Sequence, residues 1–285
     1  MPSSQALFRS VLYIPAARTR ALDKARGLEC DAIIFDLEDA VAPDEKVAAR
    51  ETLAAELTAG GYGFRYRIVR INGLDSEWGT EDARAVGDMK CDAVLLPKVD
   101  DPNMLDDLAE IVGNKPLWAM MESPRGILSA LSIADHPTVE GLVLGTNDLS
   151  RDLGCTDGGK RSAMQMSLQV CLAAARSAGI VCVDGVYNAF NDTEGLLAEC
   201  EQGRELGMDG KTLIHPSQIA TANRVFAPTP DQIDLAQRQI AAFNDATARG
   251  EGVAVLDGRI VENLHAESAM SLLARADAIA EREAA

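Results

Sequence analysis

The chain reads as an α/β protein, a (β/α)8 barrel of the TIM type, on three observations. Eight short apolar runs alternate with segments of helical spacing, polar residues gather at the C-terminal ends of those runs, and no G-x-G-x-x-G follows the first of them. Runs that are apolar throughout belong to a parallel sheet covered on both faces. Eight such units before Phe226 suit a closed barrel, whose functional groups sit at the carboxyl ends of its strands. A doubly wound open sheet is the alternative, and the missing glycine fingerprint argues against its dinucleotide-binding form.

In order, the runs are FRSVLYIP from Phe8, DAIIFDLED from Asp31, RIVRING from Arg67 and DAVLLPKV from Asp92, then LWAMMES from Leu117, GLVLGTND from Gly141, IVCVDGV from Ile180 and DGKTLIHP from Asp209. Their far ends carry Arg18 and Arg20, Glu38 and Asp39, Arg70 and Asn72, Lys98, Glu122, Asp148, Asp184 and His215. The near ends carry Cys30-Asp31, Cys91-Asp92 and Gly207-Met208-Asp209, which read as turns.

After Phe226 the pattern changes. A proline-opened amphipathic helix stops at Gly250, GVAVLDGRIVEN reads as a hairpin around Asp257-Gly258, and a last helix runs from Leu264 to about Arg282. The chain thus divides into a barrel, residues 1–226, and a helix-hairpin-helix extension, residues 227–285. So small an extension does not fold alone and is expected to pack as a lid on the barrel or on a neighbouring subunit.

Charge narrows the function. Lys and Arg number 27 against 44 Asp and Glu, a formal charge of −17, so the long-range field repels nucleic acid and anionic lipid, and neither is expected as a partner. The sequence has no long apolar segment and no signal-like N-terminus, which predicts a cytoplasmic protein. Its six cysteines are scattered without a C-x-x-C pair, and its three histidines stand apart from them, so no zinc site is expected.

Glu122 and Asp148 end the fifth and sixth runs, and a buried strand gains nothing from a charged last residue. Two hard oxygen donors side by side suit a divalent cation, Mg2+ or Mn2+. Capping of the helices that follow is the other reading. Arg70 alternates with Ile68 on its strand and so points into the barrel mouth, where its fork would grip a carboxylate; a salt bridge to Glu38 or Asp39 is the alternative. Glu38 and Asp39 are expected to hydrogen-bond metal-bound water and Arg70. Arg18, Arg20, Lys24 and Arg26 form a basic cluster past the first run, fit either for the phosphates of a large cofactor ester or for a solvated helix face.

The motifs YIPAARTRALDKA, IIFDLEDAV, RIVRING, LLPKV, MMESPRGI, LGTNDLS, DGVY and LIHPSQI, in this order, resemble the citrate lyase beta subunit and malyl-CoA lyase family over nearly the whole chain. The resemblance implies a Mg2+-dependent acyl-CoA barrel enzyme with Glu122 and Asp148 as metal ligands and Arg70 as substrate-binding arginine. It places Tyr13, Arg18, Lys24, Ile214 and His215 near the CoA or acyl portion, with Asn147 of LGTNDLS and Glu122 also among the substrate contacts. Family members form trimers or hexamers in which one subunit's C-terminal hairpin covers the next subunit's site and lends it an aspartate. In LDGRIVEN the matching residue is Glu262, one methylene longer. The ending DGRIVENLH looks most like the malyl-CoA thioesterase branch, which yields malate and free CoA. A lyase releasing acetyl-CoA and glyoxylate, a citrate lyase beta subunit and a non-catalytic acyl-CoA-binding subunit are the alternatives.

Overall fold

The structure, a computed structural model, describes residues 6–156 and 161–284. They fall into two compact units, one within residues 1–226 and one within residues 227–285. In the first, strands and helices alternate as β1 (Ser10–Pro15), α1 (Thr19–Ala25), β2 (Ala32–Asp36), α2 (Lys46–Ala59), β3 (Tyr66–Arg70), α3 (Gly79–Asp88), β4 (Ala93–Leu96) and α4 (Asn103–Val112). They continue as β5 (Leu117–Met121), α5 (Pro124–Leu128), α6 (Ala130–Ala134), β6 (Val139–Leu144), α7 (Thr146–Leu153), α8 (Gln165–Ala178), β7 (Val181–Asp184), α9 (Thr193–Leu206), β8 (Gly210–Leu213) and α10 (Ile219–Phe226). The eight strands pair in parallel in chain order, and β8 closes onto β1 with Ser10 opposite Lys211. This is the barrel expected from the continuous apolar runs.

Alternation sorts each strand's residues between two cores. Val11, Ile34, Ile68, Leu95, Trp118, Val143 and Val183 fill the barrel interior, while Leu12, Phe35, Val69, Val94, Ala119 and Leu142 pack outward under the helices. At the amino-terminal end the interior is plugged by Phe8, whose ring centroid lies 5.1 Å from that of Trp118 and 5.2 Å from that of Tyr66. Gly141 makes room for the plug, because a Cβ there would lie 2.6 Å from the Trp118 ring.

The aspartates read as turn residues also tie neighbouring strands together. Asp31 accepts from the backbone N–H of Arg9 at 2.7 Å and pairs with its guanidinium. Asp92 does the same with Arg67, and Asp209 accepts from the N–H of Cys182 while pairing with Arg176. Each carboxylate thereby satisfies a strand-end donor that the ladder leaves free.

Two polar residues expected at the mouth go elsewhere. β3 ends at Arg70, and Asn72 beyond it donates to Asp82 and the Leu37 carbonyl and accepts from Lys46 Nζ at 2.7 Å. Asp184 follows the inward Val183 and therefore faces outward, beneath the helices. There it meets Arg161 at 2.6 Å and Lys211 at 3.2 Å, with Glu199 2.6 Å from the same lysine. Burial alone would raise the Asp184 pKa, but the two cations hold it below the usual carboxylate range.

The second unit contains α11 (Pro230–Ala248), the hairpin β9 (Ala254–Leu256) and β10 (Arg259–Val261), and α12 (Asn263–Glu283). Thr229 caps α11 reciprocally with Gln232, as the T-P-x-Q pattern dictates. Asp257 and Gly258 both adopt positive φ, 51° and 74°, the turn that matches the twist of a two-residue hairpin. No helix among the described residues is long and apolar enough to cross a membrane.

Candidate active site

A pocket of about 290 Å³ opens at the carboxyl ends of the strands, and Glu122, Asp148, Arg70 and Tyr13 all line it. Glu122 follows β5 and is 4% exposed. Its Oε1 accepts from the backbone N–H of Lys98 at 2.8 Å. Burial, joined by the charge of Glu38, raises its pKa to about 7. Gly145 must be glycine to admit this carboxylate, since a Cβ would stand 2.5 Å from Glu122 Oε2. Asp148 lies in the first turn of α7, where the free N–H groups favour an acid. Its two oxygens lie 2.9 Å from Arg151 Nη1 and 3.5 Å from Lys98 Nζ.

Arg70 reaches the mouth from β3, but its principal partner is neither acid named in the sequence reading. It binds Asp36 in a two-point fork at 2.8 and 2.6 Å. Glu38 Oε2 lies 2.7 Å from Nη1 in an ion pair without hydrogen-bond geometry, and Asp39 is more distant at 3.5 Å. Asp36 stands opposite Arg70 in the β2–β3 register, a cross-strand relation that a reading of single runs does not reveal. Burial opposes the Arg70 charge, yet the carboxylates of Asp36 and Glu38 outweigh it and its pKa is raised further. The guanidinium lies 5.0 Å above the Tyr13 ring, whose hydroxyl has Met120 Sδ as its partner at 4.0 Å. Burial pushes the Tyr13 pKa up, so the hydroxyl keeps its proton.

The remaining expected residues are dispersed. Asn147 and Ile214 line the pocket, but the Asn147 amide is engaged with Asn188 in reciprocal hydrogen bonds of 2.7 and 3.3 Å. His215 stacks on Phe190 at 4.9 Å and shares its Nδ1 with the Ser217 hydroxyl. Arg18, Arg20 and Lys24 are exposed on and before α1. Arg26 leaves that cluster to bind Glu56 and the Gly60 carbonyl. Glu262 belongs to the second unit, exposed at the start of α12, with its backbone N–H donated to His265 Nδ1.

The donors at the mouth suit a hard divalent cation. Glu122 and Asp148 offer only oxygen, and a carboxylate as costly to ionise as Glu122 gains from a nearby positive ion. Among the described residues no three His, Cys, Asp or Glu side chains gather to hold a metal. The pair would therefore leave most positions of an octahedral ion to water and to oxygens of a small anionic molecule.

A closed parallel barrel with two carboxylates and a braced arginine at its mouth has the frame of an α/β-barrel enzyme, and the comparison of sequences says which family of them. The chain belongs to the HpcH/HpaI aldolase/citrate lyase family, whose model matches residues 9–216. Within it, the chain is 58% identical over 273 residues to the (3S)-malyl-CoA thioesterase of Cereibacter sphaeroides, covering 96% of each chain. It is 37% identical over 287 residues to the citrate lyase subunit beta of Escherichia coli, covering 96% of this chain and 95% of the relative. In three dimensions it resembles the protein CitE from Mycobacterium tuberculosis, solved in complex with magnesium, acetoacetate and coenzyme A. That match has a TM-score of 0.82 at 28% identity and covers 96% of this chain and 99% of the other.

Proposed function

We propose that the protein hydrolyses the thioester of malyl-CoA to malate and free CoA with the help of Mg2+. The observation that carries this reading is the 58% identity, over 96% of both chains, to a (3S)-malyl-CoA thioesterase. The pocket supplies the matching chemistry. Glu122 and Asp148 would hold the ion, which would anchor the oxygens of the acyl group and polarise its carbonyl. Arg70, fixed by Asp36, keeps its charge and orientation for the substrate's anionic end. Tyr13, Asn147 and Ile214 form the wall against which the acyl group rests, and Arg18, Lys24 and His215 serve the CoA portion.

In this reading the protein is a homotrimer or homohexamer. Residues 227–285 act as a lid, and Glu262 of a neighbouring subunit takes a proton from water as it attacks the thioester carbonyl. The C–S bond breaks, and Glu262 passes that proton to the departing thiolate, which leaves as free CoA and returns the carboxylate to its starting state. Glu38 and Asp39 assist by bracing Arg70 and hydrogen-bonding water at the mouth. Glu262→Ala is expected to lower kcat by about 100-fold, the usual worth of a general base, with only a small fall in Tm, because the exposed side chain's structural role is confined to capping α12. A wild-type rate would remove Glu262 from the mechanism.

The family also contains carbon-carbon lyases by name, so product analysis is the decisive test. Malyl-CoA with Mg2+ should give malate and free thiol in equal amounts without glyoxylate. Glyoxylate and acetyl-CoA without malate would replace the hydrolase by a lyase.

A further inference from the structure

Lys98 follows β4 with a backbone φ of 51°. A left-handed residue with a side chain costs roughly 1–2 kcal/mol, and such strain persists where the surroundings hold it for a reason. The conformation aims the Lys98 N–H at Glu122 Oε1, 2.8 Å away. It also sends the ammonium between two acids, 3.5 Å from Asp148 Oδ2 and 3.8 Å from Glu38 Oε1.

The other cations at the mouth are differently held. Arg70 is locked to Asp36 by two hydrogen bonds and is buried. Arg151 takes the opposite oxygen of Asp148 from within α7. The Lys98 side chain is 54% exposed, makes only the two long ion pairs among the described residues, and carries a compact charge on a flexible stem. It can withdraw into solvent without breaking a close contact.

We propose that Lys98 governs how the site takes its cation, the backbone N–H setting Glu122 in place while the ammonium stands between Asp148 and Glu38 as a placeholder that a divalent ion displaces. Lys98 is thus a positioning residue whose two halves act in opposite directions on metal affinity. The backbone pre-orients a ligand oxygen and strengthens binding. The ammonium neutralises Asp148 in advance and repels the incoming charge. The inference rests on the assignment of Glu122 and Asp148 to the metal.

Two substitutions separate the halves. Lys98→Gly retains the N–H and accepts the left-handed backbone without strain, losing the side chain and with it the ammonium. Lys98→Val loses the ammonium and, being β-branched, resists that backbone. Mg2+ binding to the substrate-free proteins is measured by isothermal titration calorimetry. The glycine variant is expected to bind Mg2+ about tenfold more tightly than wild type, the order of effect of one unit charge a few ångströms away in a screened site. The valine variant is expected to bind about tenfold more weakly than the glycine variant, a loss equivalent to one oriented hydrogen bond. A glycine variant no tighter than wild type overturns the placeholder role, and valine equal to glycine overturns the backbone role. A wild-type protein that binds no Mg2+ strikes instead at the metal assignment.

Discussion

Asp148→Ala is expected to abolish Mg2+-dependent turnover while leaving the fold almost untouched. Asp148 would be one of two carboxylates on the ion, and losing the Lewis acid removes several kcal/mol of transition-state stabilisation, about a thousandfold or more in rate. The stability cost is small because the bonds it breaks are cheap. Arg151 and Lys98 are its partners, and both side chains are more than half exposed. Its place in the first turn of α7 adds about 1 kcal/mol or less. Thermal melting beside a malyl-CoA assay over a range of Mg2+ concentrations checks both halves. A variant with wild-type turnover would remove the metal pair from the account.

Asp36→Ala is expected to damage stability and activity together. Asp36 is 1% exposed and holds Arg70 at two points. It also accepts from the backbone N–H groups of Glu38 and Ala40. Removing one member of a buried pair leaves an uncompensated charge and costs about 3–5 kcal/mol. Glu38 would still face Arg70, but without a fork to orient the guanidinium toward the pocket. Combining Asp36→Leu with Arg70→Met removes both charges, and stability should return in part, since the N–H groups of Glu38 and Ala40 and the Glu38 carboxylate still lack their partners, while activity does not return. Denaturant midpoints for the single and double variants test this. A single variant within about 1 kcal/mol of wild type would show that Asp36 does not brace Arg70.

Much of the architecture was open to inspection in the linear chain. Continuous runs such as AIIFD and AVLL mark strands covered on both faces, and the proline opening the run after Phe226 and the Asp-Gly of LDGR mark a helix start and a tight hairpin from neighbouring residues alone. Glu122 and Asp148 stand out as acids closing apolar runs, and both line the pocket. Asp36 did not stand out. It lies inside IIFDL with two further acids after it, and nothing local says which of the three meets Arg70. Asn72 and Asp184 looked like mouth residues because they follow strands, but one lies past the pairing and the other alternates outward. Lys98 sits in an ordinary LPKV stretch, and its left-handed backbone leaves no trace in residue type.

Sequence alone therefore determined what depends on near neighbours and on period: which segments are strands, how many of them there are, that they close into a barrel, and that Glu122 and Asp148 stand at its mouth. Tertiary structure alone decided what depends on register and on alternation across strands. It sets Asp36 opposite Arg70, turns Asp184 away from the mouth, and suspends the Lys98 ammonium between Glu38 and Asp148. The reason is geometric. Hydrogen-bond ladders place residues from distant runs within a few ångströms of one another, and the Coulomb and hydrogen-bond energies that orient a charged side chain vary steeply over that distance.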